Sequence, residues 1–379
     1  MSAPLTTDVP AGLRGVVVTT TELGDVGGEE GFFHYRQYSA VDLARTRTVE
    51  DVWFLLHRGH LPSAAEVAAF GAEVAPLRVL PPVLAEALPL LAAAGGSPLA
   101  GLRTALSLLG AAEGARPVLD LTPAQRAADA LRVCSVVPTV LAALHRTRAG
   151  LPPVPPRDDL DAAANWLWML TGREAPPAHV RALRRYLVAT VDHGFNASTF
   201  TARVVASTGA DVVAAVVAAL GAFSGPLHGG APDRALAALD EIGSPDRAAA
   251  WVREQLAAGR RVMGFGHAVY RTADPRSELL RETALELGGD LADLAVAVEE
   301  RVVAALAELK PGRALHANVE YYAGVVMATC GIDPALFTPT FATSRVVGWC
   351  AHVLEQAGDP RIVRPSARYT GPAAPVPVP

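Results

Sequence analysis

Val262 to Ser277 reads VMGFGHAVYRTADPRS and sets an imidazole, His267, between two glycines and two arginines. Gly264 and Gly266 let the chain turn tightly and come close to a ligand. Asp274-Pro275 reads as a helix start, with Asp274 as N-cap and Pro275 at the first helical position. Arg276 then falls in the first turn, where the helix dipole disfavours a cation. A guanidinium beside free N–H groups suits an incoming carboxylate or phosphate. A Gly-rich turn with a solvated arginine would explain a shorter pattern; the length of this one argues for a site.

The surrounding chain bounds what such a site can serve. Its 379 residues are 51% hydrophobic and 19% charged, which suits two or three domains, or one large one with an insertion, around a large core rather than disorder. A net charge of −5 argues against a nucleic-acid partner. Cys134, Cys330 and Cys350 are odd in number and lack CxxC spacing, so no disulfide framework or zinc knuckle follows and a reducing cytoplasm is expected. MSAPLTTDVPAGL has no basic start and no apolar stretch of an export signal. The longest apolar run, Val212 to Phe223, is too short to span a bilayer, so no membrane role is expected.

Gly15 to Thr21, GVVVTTT, is β-branched and reads as a strand that Phe32 to Tyr38 could pair with. Helical patterns then dominate. Thr48 to Asp51 reads as a capping-box-like start, Ser63 to Glu66 as a capping box and Thr122 to Gln125 as another helix start, that helix running towards Leu144. Pro152 to Pro156 form a stiff loop. Helices fit Leu160–Leu170, Ala178–Thr190, Asn196–Ser207 and Ala210–Phe223, the last apolar nearly all round and so read as central. Further helices fit Pro232–Glu241, Asp246–Ala258, Pro275–Leu287, Leu291–Leu309, Asn318–Cys330 and Thr343–Gln356, before an extended tail, GPAAPVPVP. The fold class is therefore all-α, mainly helical, with a small N-terminal β element.

Five other places could carry chemistry. His228, in GPLHGGAP, sits in a Gly/Pro break before a helix; helix-start N–H groups would keep its ring neutral and able to donate. Glu320 is the one charged side chain between Asn318 and Gly331, so it is either paired, protonated or functional, or simply an acid serving the dipole after an Asn318 cap. His193 and Asn196, in VDHGFNASTF, form a helix start that a cap alone would explain. Arg345 is a cation in an apolar helical pattern and needs a partner, whereas Arg364 before Pro365 reads as a solvated loop arginine. There is no GxxxxGK[ST], no third glycine after Gly264-x-Gly266, no HExxH and no GxSxG, so nucleotide-fold, metal and serine-hydrolase readings are unsupported.

The Gly-aromatic-Gly-His run followed by Arg271 and Asp274-Pro275-Arg276 resembles the signature of the citrate synthase family. VDHGFNASTF, GPLHGGA, GFGHAVYRTADPR, NVEYYAG, FTPTFATSRVVGW and RIVRPSARYTGP occur in that family's order, and the resemblance covers almost the whole chain. It implies a two-domain helical fold, with a large domain at 1–228 and 332–379 and a small domain at 229–331 closing over the cleft. It implies a homodimer, and condensation of an acyl-CoA with oxaloacetate followed by thioester hydrolysis, with no metal or redox cofactor. By motif, Glu320 would be the base, His228 would steady the enolate, and His267 would polarise and protonate the ketone. His193, Arg276 and Arg345 would hold the dicarboxylate, Arg364 would reach the partner subunit's site, and Arg271 would lie near the CoA phosphates. Citrate synthase is the leading reading; 2-methylcitrate synthase, using propionyl-CoA, and a non-catalytic binding paralogue are the alternatives. Glu320 departs from the family's usual Asp, and Gly194, Ala268 and Gln37 depart from common neighbours. The extra N-terminal domain of the allosteric bacterial members is not recognised, so weak or absent NADH inhibition is expected.

Overall fold

The β element forms, but not where β-branching alone placed it. In a computed structural model, strand β1 (Gly24–Gly27) pairs antiparallel with β2 (Phe32–Tyr35), Asp25 opposite His34, and β2 with the short β3 (Tyr38–Ser39). Phe33 and Tyr35 point into the core and His34 away from it, as a half-buried strand requires. Residues 16–20 have no regular structure, and Val17 is 87% exposed. The expected Gly15–Thr21 strand is therefore corrected: β-branching favours a pleated surface only where another strand and a core face are present, and among the described residues none pairs with it. The structure describes residues 9–13, 15–229, 232–267, 269–313, 315–372 and 375. Gly230, Ala231, Ala268 and most of the GPAAPVPVP tail lie outside the described residues.

Sixteen α-helices follow among the described residues. They are α1 (Ala40–Thr46), α2 (Val49–Arg58), α3 (Ala64–Val74), α4 (Pro82–Ala93), α5 (Pro98–Glu113), α6 (Pro123–Arg148), α7 (Ala162–Thr171) and α8 (Pro177–Thr190). The second half holds α9 (Ala197–Ser207), α10 (Val212–Phe223), α11 (Pro232–Ile242), α12 (Pro245–Ala257), α13 (Pro275–Leu287), α14 (Asp290–Leu309), α15 (Val319–Thr329) and α16 (Phe337–Gln356). The capping boxes at Thr48, Ser63 and Thr122 close in both directions, because each needs only its own turn. Helix α16 begins six residues before the expected Thr343, since Pro339 in the first turn lacks only an N–H that would have no intrahelical partner. Helix α6 is long and apolar enough to cross a membrane by length and composition, but it is mostly buried against α4, α5, α7 and α16.

The centre of the core is α16, not α10. Helix α10 buries Val212, Ala215, Val216, Ala219, Leu220 and Phe223 on one side only; Val213 and Val217 are half-buried and Gly221 is exposed. Every residue of α16 from Pro339 to Val353 is buried. Its polar groups are satisfied on the way: Ser344 donates to the Leu187 carbonyl and Trp166 donates to Thr340. Helices α11 to α15 pack chiefly on one another and meet the rest of the chain along α8 and α16.

Gly348 lets α16 lie directly on the backbone at Val191 and Asp192. A Cβ there would collide with the Val191 carbonyl oxygen and stand 3.2 Å from Asp192 Cβ. Gly348→Ala is expected to cost about 1–3 kcal/mol of unfolding free energy, measured by denaturant titration. An unchanged midpoint would mean that the helix seats elsewhere.

Candidate active site

A cleft of about 1070 Å³ opens where α11–α15 meet the remaining helices, and His193, His228, His267, Arg276, Glu320 and Arg345 all line it. Two expected residues do not. Arg271 turns outward, with Nε 3.9 Å from Glu29 and its backbone N–H donated to the Gly28 carbonyl. Arg364 lies in the exposed tail. Arg260, Arg261, Lys310 and Arg313, which spacing did not single out, also line the cleft.

His228 is fixed by a helix start, though not the one that follows it in sequence. The backbone N–H of Ser198, in the first turn of α9 after the Asn196 cap, points at Nε2 at 3.3 Å. Ser198 Oγ lies 2.8 Å from the same nitrogen and receives the Trp349 N–H at 3.0 Å. A backbone N–H can only donate, so Nε2 accepts and the ring proton sits on Nδ1. Burial, then Arg345, lowers the His228 pKa to about 4, so the ring is neutral at pH 7 with a donor to offer.

His267 has the opposite tautomer. Its Nδ1 accepts the backbone N–H groups of Val269 (3.0 Å) and Tyr270 (3.1 Å), which puts the proton on Nε2. Gly264 and Gly266, both at φ +83°, make the turn that aims it. Arg276 Nη2 stands 3.2 Å from Nε2. An arginine N–H can only donate, so here it meets the Nε2 proton donor to donor; the two backbone amides on Nδ1 decide the tautomer against it, and an oxygen placed between would accept from both. Burial and Arg276 hold the His267 pKa at about 4.

Asp274 explains how Arg276 tolerates the first turn of α13. Its carboxylate accepts from Arg276 N (3.0 Å), Nε (3.0 Å) and Nη2 (2.8 Å), and also from Val319 N (3.1 Å) at the start of α15. Burial raises the Asp274 pKa, yet Arg276 holds it below its ordinary value. Among the described residues no carboxylate pairs directly with Arg345. Its Nε donates to the Thr190 carbonyl at 2.9 Å, its guanidinium covers the Phe341 ring at 4.6 Å, and burial lowers its pKa to about 10. A desolvated cation opening on a cleft favours an anionic ligand.

Glu320 satisfies both readings of its sequence. It follows the Asn318 cap, whose Oδ1 accepts its N–H at 3.1 Å, and it also lines the cleft. The cap is tied to the signature turn: Asn318 Nδ2 donates to the Gly266 carbonyl at 3.0 Å, and Asn318 N to the Gly264 carbonyl at 2.8 Å. Burial raises the Glu320 pKa to about 7; Arg276 works against this, and Asp274 and Asp233 work with it. A carboxylate poised near neutrality is suited to taking a proton.

Tyr270 and Asp192 were present in the quoted motifs but not singled out. Tyr270 OH lies 3.0 Å from His193 Nε2, and its ring lies 4.7 Å from that of His267. His193 is held well below the usual histidine pKa by burial, then by Arg276. The contact with His193 cannot be read from spacing, since it joins residues 77 apart. In histidine-detected NMR, His228 and His267 are expected to stay neutral down to about pH 5, with the proton on Nδ1 and Nε2 respectively. Titration of either near pH 6.5 would contradict this geometry.

Comparison with known proteins shows the family. A family profile described as the citrate synthase C-terminal domain matches residues 12–366. The chain is 37% identical over 369 residues to a citrate synthase of Deinococcus radiodurans, covering 96% of each. It is 40% identical over 367 residues to a 2-methylcitrate synthase of Mycobacterium tuberculosis, covering 96% of this chain and 91% of that one. A crystallised Thermoplasma acidophilum citrate synthase, in ternary complex with carboxymethyl coenzyme A and oxaloacetate, superposes with a TM-score of 0.89 at 28% identity over 99% of each chain. The chain belongs to the citrate synthase family.

Proposed function

We propose that this enzyme condenses acetyl-CoA with oxaloacetate and then hydrolyses the thioester, releasing citrate and CoA. One observation carries the reading: a single cleft gathers a carboxylate with a pKa of about 7, two neutral histidines of opposite tautomer and two buried guanidinium groups. Glu320 removes a proton from the methyl carbon next to the thioester. His228 Nδ1–H donates to the thioester oxygen as it gains enolate charge, a donor placed before the charge develops. The nucleophilic carbon attacks the ketone of oxaloacetate, whose oxygen sits against His267 Nε2–H and Arg276 and is protonated there. Arg276, Arg345 and His193 grip the two carboxylates, for which planar guanidinium groups are suited. Water then cleaves the thioester and frees the CoA thiol.

Arg260, Arg261, Lys310 and Arg313 offer the phosphates of CoA a basic rim, a better-placed set than Arg271. The balance of the reaction calls on no metal or redox cofactor. The working form is a homodimer in which Arg364, exposed in a single chain, reaches the second copy's cleft; the half-exposed apolar side of α10 is consistent with such burial. Three free cysteines suit a reducing cytoplasm. Propionyl-CoA is the second acyl donor to consider, because of the 40% identical 2-methylcitrate synthase. One methyl group is worth about 1–3 kcal/mol of discrimination, so thiol release with the two acyl-CoAs at equal concentration decides between them.

Oxaloacetate-dependent release of thiol from acetyl-CoA tests the mechanism. Glu320 must be unprotonated to act, so kcat/KM is expected to level off above pH 7 and fall about tenfold per unit well below it. The histidines, at about 4, add no limb between pH 5 and 8. Glu320→Gln should lower kcat at least ~10²-fold. Equal thiol release by wild type and variant would remove Glu320 from the role of base.

A further inference from the structure

Behind the cleft, α16 presents a row of functional side chains at helical spacing. Arg345 opens on the cleft, Trp349 donates to Ser198 beneath His228, His352 faces Asp192, and Gln356 accepts from Arg203 at 3.0 Å. Arg203, on α9, is 2% exposed. Its Nη1 donates to His352 Nδ1 at 2.9 Å and to the Glu355 carboxylate. Its guanidinium also covers the Phe195 ring at 5.6 Å. Arginine only donates, so His352 Nδ1 accepts and the ring proton lies on Nε2.

That Nε2 stands 3.3 Å from Asp192 Oδ1. Both atoms are buried, and the alignment falls short of a hydrogen bond. Asp192 Oδ2 accepts the Gly194 N–H at 3.2 Å. The segment carrying His193 is thus held on both sides, Asp192 facing His352 and Phe195 lying under Arg203. Asp192 is also the charge that most favours the protonated form of buried Arg345. A small rotation of Asp192 would complete its bond to His352, and His193 is the next residue along the chain.

We propose that His352, oriented by Arg203, is a positioning residue that acts through Asp192 on His193 and Arg345, and so sets the affinity for the 2-oxo diacid without touching it. This rests on the reading of His193 as a ligand of that diacid. Replacing the ring removes the N–H that faces Asp192 Oδ1 across 3.3 Å and the group that Arg203 holds there, and so frees the segment to shift; displacement of a binding group by about 1 Å can cost ~10²-fold.

The test uses the full-length enzyme and the thiol-release assay, with thermal melting alongside. His352→Phe is expected to raise KM for oxaloacetate at least about tenfold while KM for acetyl-CoA stays within about twofold. His352→Gln, whose amide can donate from near the Nε2 position, should recover most of the loss. If the Phe variant does not fold, His352→Asn, which puts its amide at the Nδ1 position, should show the same split. Both KM values rising together, or a lower melting temperature with both KM values unchanged, would overturn the proposal. His193→Ala separates the two layers. If it leaves KM for oxaloacetate unchanged, the His193 reading fails and this proposal with it. If it raises KM and the His352 variants do not, the positioning role alone is wrong.

Discussion

The site depends on one buried carboxylate. Asp274 accepts three N–H groups of Arg276 and one of Val319, so it joins the signature turn before α13 to the first turn of α15. Removing one partner of a buried ion pair costs about 3–5 kcal/mol, because the survivor is left charged and unsolvated. Here the loss would reach further. Arg276 would be free to turn towards Glu320, and the residue preceding Glu320 would lose the acceptor of its N–H.

The same carboxylate helps to set the chemistry. Glu320 is pushed towards neutrality by burial and pulled back by Arg276, while Asp274 offsets part of that pull. Without a negative charge beside the guanidinium, Arg276 would hold the Glu320 carboxyl further into its charged, less basic form. The two histidines escape the conflict by being neutral. Their useful protons are assigned by backbone N–H groups that occupy the other ring nitrogen, Ser198 for His228 and Val269 with Tyr270 for His267. Fixed amides need no reorganisation when charge develops, which makes such donors effective.

Local features were legible in the sequence and relational ones were not. Helix α13 has the limits expected from Asp274-Pro275, and the caps at Thr48, Ser63, Thr122, Asn196 and Asn318 form as read, because each is decided within a few residues. GVVVTTT misled because strand propensity says nothing about whether a partner strand is present. Helix α10 looked central from composition, whereas α16, with its Thr, Ser and Arg, is the one surrounded by other helices. His193, His228, His267, Arg276, Glu320 and Arg345 share the cleft as the motifs implied. The dependence of His228 on Ser198 and of His193 on Tyr270 was hidden, because these contacts join parts of the chain that spacing does not relate.

The proposed chemistry stands on a glutamate kept basic by desolvation among opposing charges. Its most direct measurement is the difference infrared titration of the carboxyl group, wild type minus Glu320→Gln, in the substrate-free enzyme. A protonated-carboxyl band that disappears with a midpoint of about pH 7 is the expected result. A midpoint near the ordinary glutamate value of about 4.3 would mean that water reaches residue 320 freely, and the cleft would then lack the base that the carbon–carbon bond requires.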